Sequence, residues 1–416
     1  MAVSTDAGPA TAATEVARPT TGVCAAQGFL AGVAHAGLKA DPTRPDVAVI
    51  YSERPAAAAA VFTTNQVKAA PVVISQLKLA NGHARAVVVN AGNANACTGS
   101  QGFKDALAMS SRCADELDLD PAEVLVASTG VIGRLLPMDI LATGIVAASH
   151  DLSAAAGSRA AEAIMTTDTR VKETVARFTH HGRTITVGGM AKGSGMIHIN
   201  MATMLGFITT DAEVAPSDLA TALRSAVEDT LNMVTIDGDT STNDMVVLFA
   251  NGAAGTPALA AGDGLEDFQA ALQAVCRDLG RMIAADGEGA TRMFTVTVTG
   301  AADVPEARIL ARTVASSNLV KAAIHGGDPN WGRIVAALGR AGCSLVLDRL
   351  TVVIGGQVVF HGGAGASVVD LEKVRVAFSQ DEVAIECDLG LGDGTATAYG
   401  CDLTSEYVRI NADYTT

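Results

Sequence analysis

The apolar positions follow two rhythms along this chain. Short β-branched runs, VAVIY at 47–51, AVVVN at 86–90 and the run that closes 121–128, predict strands, because branched side chains suit an extended backbone. Between 265 and 283, Leu265, Phe268, Leu272, Val275, Leu279 and Met282 recur at intervals of three and four, which places them on one face of a long helix. A second helix is expected from a cap at Ser217, with Leu219, Leu223, Val227 and Leu231 as its stripe. FTVTVTG at 294–300 alternates strictly, the pattern of a half-buried strand. TVVIGGQVVF at 351–360 predicts a hairpin about Gly355 and Gly356, and the 382–400 segment predicts another that turns at Gly392, Asp393 and Gly394. His180 and His181 precede a glycine between two strand-like runs and read as a hairpin tip rather than a ligand pair. With no internal repeat, hairpins mixed with amphipathic helices predict α+β layers rather than a regularly wound parallel sheet.

One stretch fits neither rhythm. GGMAKGSGMIHINMATMLGFITTD, residues 188–211, begins as a glycine-rich loop carrying Lys192 and becomes an apolar run with the look of a core strand. Ala202 and Thr203 lie in the middle of that run. Taken alone, Thr203 is an ordinary strand residue.

Composition narrows the choice of partner. The 416 residues are 49% apolar but only 4% aromatic, so Ala, Val, Leu and Ile must build the core of two or three domains or of one large one. No apolar run approaches the roughly 20 residues of a membrane helix. A net charge of −15 without a basic cluster argues against nucleic acid or an anionic membrane, and leaves a small molecule as the partner. Residues 1–20, rich in Ala, Thr and Pro, read as a flexible tail without the apolar centre of a secretion signal. The seven cysteines are scattered with no CxxC pair, which suggests reduced thiols and a cytoplasmic location. The acidic IDGDTSTND at 236–244 lacks the spacing and terminal Glu of a calcium loop, so hydrogen bonding is expected there and no metal.

GxSxG elbows, HExxH helices and GxxxxGK[ST] loops are absent from the sequence, so serine, zinc and P-loop chemistry lack a foothold. A cut between Ala202 and Thr203 would supply a different one. Thr203 would then carry a free α-amine beside its own hydroxyl, and such an amine can activate a weak alcohol nucleophile. An α-amine with pKa near 7.8 is free base in about one molecule in seven at pH 7, against about one in 2,500 for an unperturbed lysine.

The run KGSGMIHINMATML resembles the self-cleavage site of the ornithine acetyltransferase family, the glutamate N-acetyltransferases of the cyclic arginine pathway. The likeness continues through QVKAAPV (66–72), NAGNANACTG (90–99), STGVIG (128–133) and IMTTDT (164–169). It extends to IDGDTSTNDM (236–245), ADGEGATR (285–292), GGDPNWGR (326–333) and NADYTT (411–416). GGDPNWGR, which holds the only tryptophan, is expected to form a structural turn near the active site.

This resemblance implies an α-β-β-α layered sandwich shared with the N-terminal-nucleophile aminopeptidases. It implies self-cleavage into chains 21–202 and 203–416, assembled as a heterotetramer of two chains of each kind. Thr203 would take acetyl from N-acetylornithine and pass it to glutamate by a ping-pong route through an acetyl-enzyme. Its amine would act as general base, a role typically worth about 10² to 10⁴ in rate. Thr129 and Gly130 fall on the oxyanion stabilisers, of which losing one typically costs about 3 kcal/mol. Substrate contacts fall on Thr166, Lys192, Thr203, Glu288, Asn411 and Thr416, with Lys192 expected to meet the α-carboxylate and Glu288 the side-chain ammonium. No cofactor is implied, although some members of the family also use acetyl-CoA as a donor while others only recycle acetyl. The alternatives are hydrolysis by a related aminopeptidase or amidohydrolase, and a non-enzymatic amino-acid-binding protein of the same fold.

Overall fold

Two β-sheets packed face to face form the centre of the molecule. The structure, a computed structural model, describes residues 22–39, 41–198 and 204–413, and the backbone of 15–17. In the four-stranded sheet the order is Phe29–Ala34, Val47–Ser52, Ala86–Asn93, Val124–Val131, with only the last pair parallel. In the six-stranded sheet it is Glu15–Ala17, Lys172–His180, Arg183–Lys192, Leu205–Thr210, Met245–Ala250, Ala57–Phe62. Ile50, Val87 and Leu125 of the first sheet meet Met190, Phe207 and Val247 of the second in one buried core.

A helical layer covers each outer face. Val49, Val88 and Val126 lie against Met109 of helix Gly99–Leu117 and Leu141 and Ile145 of helix Met138–His150. On the other side, Val187, Ile208 and Val246 pack against helices Pro216–Glu228 and Leu265–Ala285. The order is therefore α-β-β-α, as expected. It also explains why VAVIY and AVVVN are continuously apolar: a strand covered on both faces has no polar side to show.

A third sheet extends the C-terminal part. Its seven strands run Val234–Thr235, Gly394–Cys401, Met293–Ala301, Glu382–Asp388, Thr351–Ile354, Gln357–His361, Ala364–Gly365. Phe294, Val296 and Val298 are buried with Leu310 and Val314 of helix Val304–Ala315. Thr295, Thr297 and Thr299 occupy the intervening positions, so the strict alternation marks a sheet covered on one face.

Several expectations are met and others are corrected. The strands at 47–51, 86–90 and 124–128 and the hairpin about Gly355 and Gly356 are present. His181 and Gly182 turn the hairpin between Lys172–His180 and Arg183–Lys192. There Asp263 lies 3.1 Å from His181 and 3.9 Å from His180, so these histidines sit beside a carboxylate that the sequence reading did not consider.

The long helix runs Leu265–Ala285, but Ile283 is buried where Met282 was expected, and Leu265 and Met282 are only half-buried. Ser217 does not cap the second helix. Ala215 precedes it and Pro216 opens it, because proline's fixed φ and missing N–H suit the first helical position. Leu231, although buried, belongs to the following turn Leu231–Met233.

The hairpin expected at 382–400 does not form. Glu382–Asp388 and Gly394–Cys401 flank Met293–Ala301, one parallel and one antiparallel to it. Their connection wraps the end of that strand, where the N–H groups of Leu391 and Gly392 donate to Gly300 O at 2.7 and 3.1 Å. Residues 188–192, expected as loop, complete the strand Arg183–Lys192, which pairs antiparallel with Leu205–Thr210. Within the expected tail, Glu15–Ala17 pair with Val175–Arg177.

All seven cysteines are free, and burial pushes the Cys276 and Cys387 thiols up to about 12, which leaves them unreactive. Among the described residues no helix is long and apolar enough to cross a membrane.

Candidate active site

A cavity of about 70 Å³ opens at the ends of strands from both central sheets. Thr129, Gly130, Thr166, Lys192, Glu288 and Asn411 all line it, although they come from five separate parts of the chain. Ala202, Thr203 and Thr416 lie outside the described residues. Of the described residues on either side, Lys192 ends one strand, Leu205 begins its antiparallel neighbour, and Gly195 and Met196 line the cavity.

Thr129 and Gly130 end the strand Val124–Val131, where its pairing with Ala86–Asn93 becomes irregular at Gly92 and Asn93. Such an irregularity re-aims the side chains beside it. Gly130 has φ +128°, and a Cβ there would stand 2.3 Å from Gly92 C, so neither the conformation nor the space admits a side chain.

The NAGNANACTG segment fastens this end of the sheet. Ser128 Oγ donates to Asn90 Oδ1 at 2.6 Å, and Asn90 Nδ2 donates to Asn93 O at 2.8 Å. From the acidic motif, Asn243 Nδ2 donates to Ala94 O at 2.6 Å and Ser128 O at 2.9 Å. Two of the motif's three aspartates bond backbone N–H groups: Asp237 Oδ1 accepts from Ile197 N at 2.8 Å and Asp244 Oδ1 from Met204 N at 2.9 Å. Burial raises the Asp244 carboxyl well above the usual range.

Lys192 is buried, and its Nζ donates to Thr166 Oγ1 at 2.7 Å and Thr129 Oγ1 at 3.4 Å. An ammonium has only donors, so both hydroxyls accept from it and keep their own hydrogens free. Thr129 can therefore donate into the cavity. Burial lowers the Lys192 pKa below that of an ordinary lysine, an effect only partly offset by Asp168 at 3.8 Å.

Beneath Lys192 lies an ion cluster that the sequence reading missed. Lys172 Nζ pairs with Asp168 at 2.7 Å and Asp286 at 2.5 Å, and all three side chains are at most 4% exposed. Burial by itself would raise the Asp168 carboxyl, but Lys192, Lys172 and the Gly193 N–H hold it below the usual carboxylate range. Asp286 also accepts from Thr169 N, tying the IMTTDT and ADGEGATR segments together. The four-residue spacing of Asp168 and Lys172 is visible in the sequence, but nothing in the sequence points to Asp286.

Glu288 lines the cavity with Lys192, and its charge favours the lysine's protonated form. Asn411 Nδ2, from helix Ser405–Asp413, donates to Glu288 Oε2 at 2.8 Å. Glu288 N bonds Ser194 O at 2.8 Å, and a Cβ on Gly195 would stand 2.3 Å from the Glu288 carboxyl carbon, so Gly195 is what lets the carboxylate approach. The cavity lining thus includes both a cation and an anion, a match for an amino acid with two charged ends. GGDPNWGR does form a turn, but Trp331 packs on Phe360 at 5.3 Å, and none of its residues lines the cavity.

Comparison with known proteins follows this geometry. A profile of the ArgJ family matches residues 30–416. The arginine biosynthesis bifunctional protein ArgJ of Symbiobacterium thermophilum is 50% identical over 397 residues, covering 95% of this chain and 98% of that protein. A crystal structure of the arginine biosynthesis bifunctional protein argJ from Bacillus halodurans is 43% identical with a TM-score of 0.49, covering 50% of this chain and 98% of that one. The ornithine acetyltransferase of Mycobacterium tuberculosis, crystallised with ornithine, is 44% identical with a TM-score of 0.42, covering 44% of this chain and 97% of that one. With the profile match running from residue 30 to the last residue, and half the positions shared with a relative along nearly the whole length of both proteins, the chain belongs to the ArgJ family.

Proposed function

We propose that the protein is an acetyltransferase of arginine biosynthesis that moves acetyl from N-acetylornithine to glutamate. The observation that carries this reading is the grouping of Thr129, Gly130, Lys192 and Glu288 around one cavity, which Gly195 and Met196 of the segment after Lys192 also line. The name borne by the Symbiobacterium thermophilum relative supports the same pathway.

In this mechanism the Ala202–Thr203 bond is first broken by the chain itself. Thr203 Oγ attacks the Ala202 carbonyl, the peptide bond becomes an ester, and water opens the ester to leave an Ala202 carboxylate and a Thr203 amine. That amine then takes the Thr203 hydroxyl proton as Oγ attacks the acetyl carbonyl of N-acetylornithine. The Gly130 N–H and the free Thr129 hydroxyl meet the oxyanion, and ornithine leaves with the proton. Glutamate's amine attacks the acetyl-Thr203 ester in the second half, releasing N-acetylglutamate and restoring the alcohol. Lys192 holds the α-carboxylate and Glu288, steadied by Asn411, the side-chain ammonium; Thr166 and Thr416 complete the substrate contacts. The reading carries with it chains 21–202 and 203–416 in a cytoplasmic heterotetramer, no cofactor, and acetyl-CoA as the candidate second donor.

Mass spectrometry of the purified protein beside Thr203→Ala tests the first step: two chains are expected from the parent and one from the variant. Acetyl transfer to glutamate should be stoichiometric. Release of free acetate in its place would point to hydrolysis, and an active, unbroken polypeptide would overturn the mechanism.

A further inference from the structure

The QVKAAPV segment contributes nothing to the catalytic cavity, yet its Lys68 borders a second and larger cleft of about 650 Å³. This cleft lies between the edge strand Ala57–Phe62, helix Pro216–Glu228 and helix Val304–Ala315. It shares a wall with the catalytic cavity: Thr63 lines the cleft and donates through Oγ1 to Ser241 O at 2.7 Å, and Ser241 lines the cavity.

The charges around the cleft do not balance. Lys68, Arg224, Arg308 and Arg312 border it, against Glu228 as the single acidic residue of its lining. Arg308 is neutralised by Glu228 and by Asp229 at 2.6 Å. Lys68, Arg224 and Arg312 make no ion pair among the described residues, and Arg312 feels Glu228 only as a minor offset. Arg312 is half-buried, and burial, followed by its neighbour Arg308, lowers its pKa. In a chain of net charge −15, the half-buried Arg312 without an ion pair, flanked by the exposed cations Lys68 and Arg224, favours an anion from outside. Guanidinium forks match phosphate oxygens in pairs, and Phe62, Val227 and Ile309 supply an apolar surface between them. The volume falls within the range of about 300 to 1,000 Å³ usual for small-molecule pockets.

We propose that this cleft binds a phosphate-bearing small molecule of nucleotide size, with its phosphates on Lys68, Arg224 and Arg312 and its flat body on Phe62 and Ile309. Such a group reaches the protein either as a free nucleotide or as the nucleotide end of an acyl thioester. The site stands on its own geometry and does not depend on the acetyl transfer proposed above.

Calorimetric titration of the purified full-length protein with adenosine 3′,5′-bisphosphate and with inorganic pyrophosphate tests it, with adenosine as the phosphate-free control. Both anions should bind saturably, less tightly as salt rises, and adenosine should not match them. Arg312→Gln should raise Kd by about tenfold or more, the scale of a charge-assisted contact. The exposed double variant Lys68→Gln, Arg224→Gln should act in the same direction and serves if Arg312→Gln does not fold. Lys192→Met, in the other cavity, should leave Kd unchanged. Displacement of the bisphosphate by acetyl-CoA would assign the cleft to the thioester carrier, and failure to displace it would assign a free nucleotide. Absence of saturable binding by both anions, or a Kd that neither cleft variant moves, would overturn the proposal.

Discussion

Replacing Lys172 by Met removes the cation between two buried carboxylates without changing the packed volume greatly. The side chains of Asp168 and Asp286 are 0% and 4% exposed, and Lys172 lies 2.7 and 2.5 Å from them. Removing one partner of a buried pair costs about 3 to 5 kcal/mol, because the charge left behind is unpaired. Lys192, 3.8 Å from Asp168, compensates only in part, which keeps the expectation within that range. At about 2.1 cal/mol/K of unfolding entropy per residue, the whole chain should then lose roughly 3 to 6 °C in Tm. Scanning calorimetry checks this.

The sign of the pH dependence follows from Asp168. Its folded pKa is depressed, so its stabilising contribution is present above the unfolded value near 3.9 and is lost as pH falls through the folded one. Lys172→Met raises that folded pKa, so the Tm deficit should be greatest near neutrality and shrink as the carboxyls protonate in acid. Adding Asp168→Asn should recover part of the loss. A Lys172→Met variant within 1 °C of the parent, or a double variant no more stable than the single one, would refute the argument.

Other consequences of the same geometry can be measured. Gly130→Ala forces a Cβ to within 2.3 Å of Gly92 C, and displacing this donor should lower kcat for acetyl transfer by about 10² to 10³. Asn411→Leu leaves Glu288 without its 2.8 Å donor, so KM for N-acetylornithine should rise about tenfold, the scale of a hydrogen bond to a charged group, with kcat changing less. Because burial lowers the Lys192 pKa, KM should climb with pH before the ordinary lysine value near 10.4 is reached, and a KM–pH profile with no such rise would contradict the assignment to the carboxylate.

The layers were legible in the sequence because burial writes a local pattern. The apolar runs at 47–51 and 86–90 mark strands covered on both faces, and FTVTVTG marks one covered on a single face. The motifs singled out Thr129, Gly130, Thr166, Lys192, Glu288 and Asn411 as candidates, and these six meet in one cavity. The turn glycines after 388 were misleading because hairpin chemistry says only that the chain reverses. It does not say that Met293–Ala301, almost a hundred residues earlier, slides between the two strands.

By itself, then, the sequence determined most of the segments that extend or coil, and it motivates the proposal that Thr203 starts a chain. Only the folded chain decided which charges meet. Lys172 and Asp286 are 114 residues apart, and Lys192 stands 63 from Thr129, so no spacing rule connects them. Periodicity is a property of neighbours along the backbone, whereas a buried ion pair or a cationic cleft depends on which distant surfaces packing brings together.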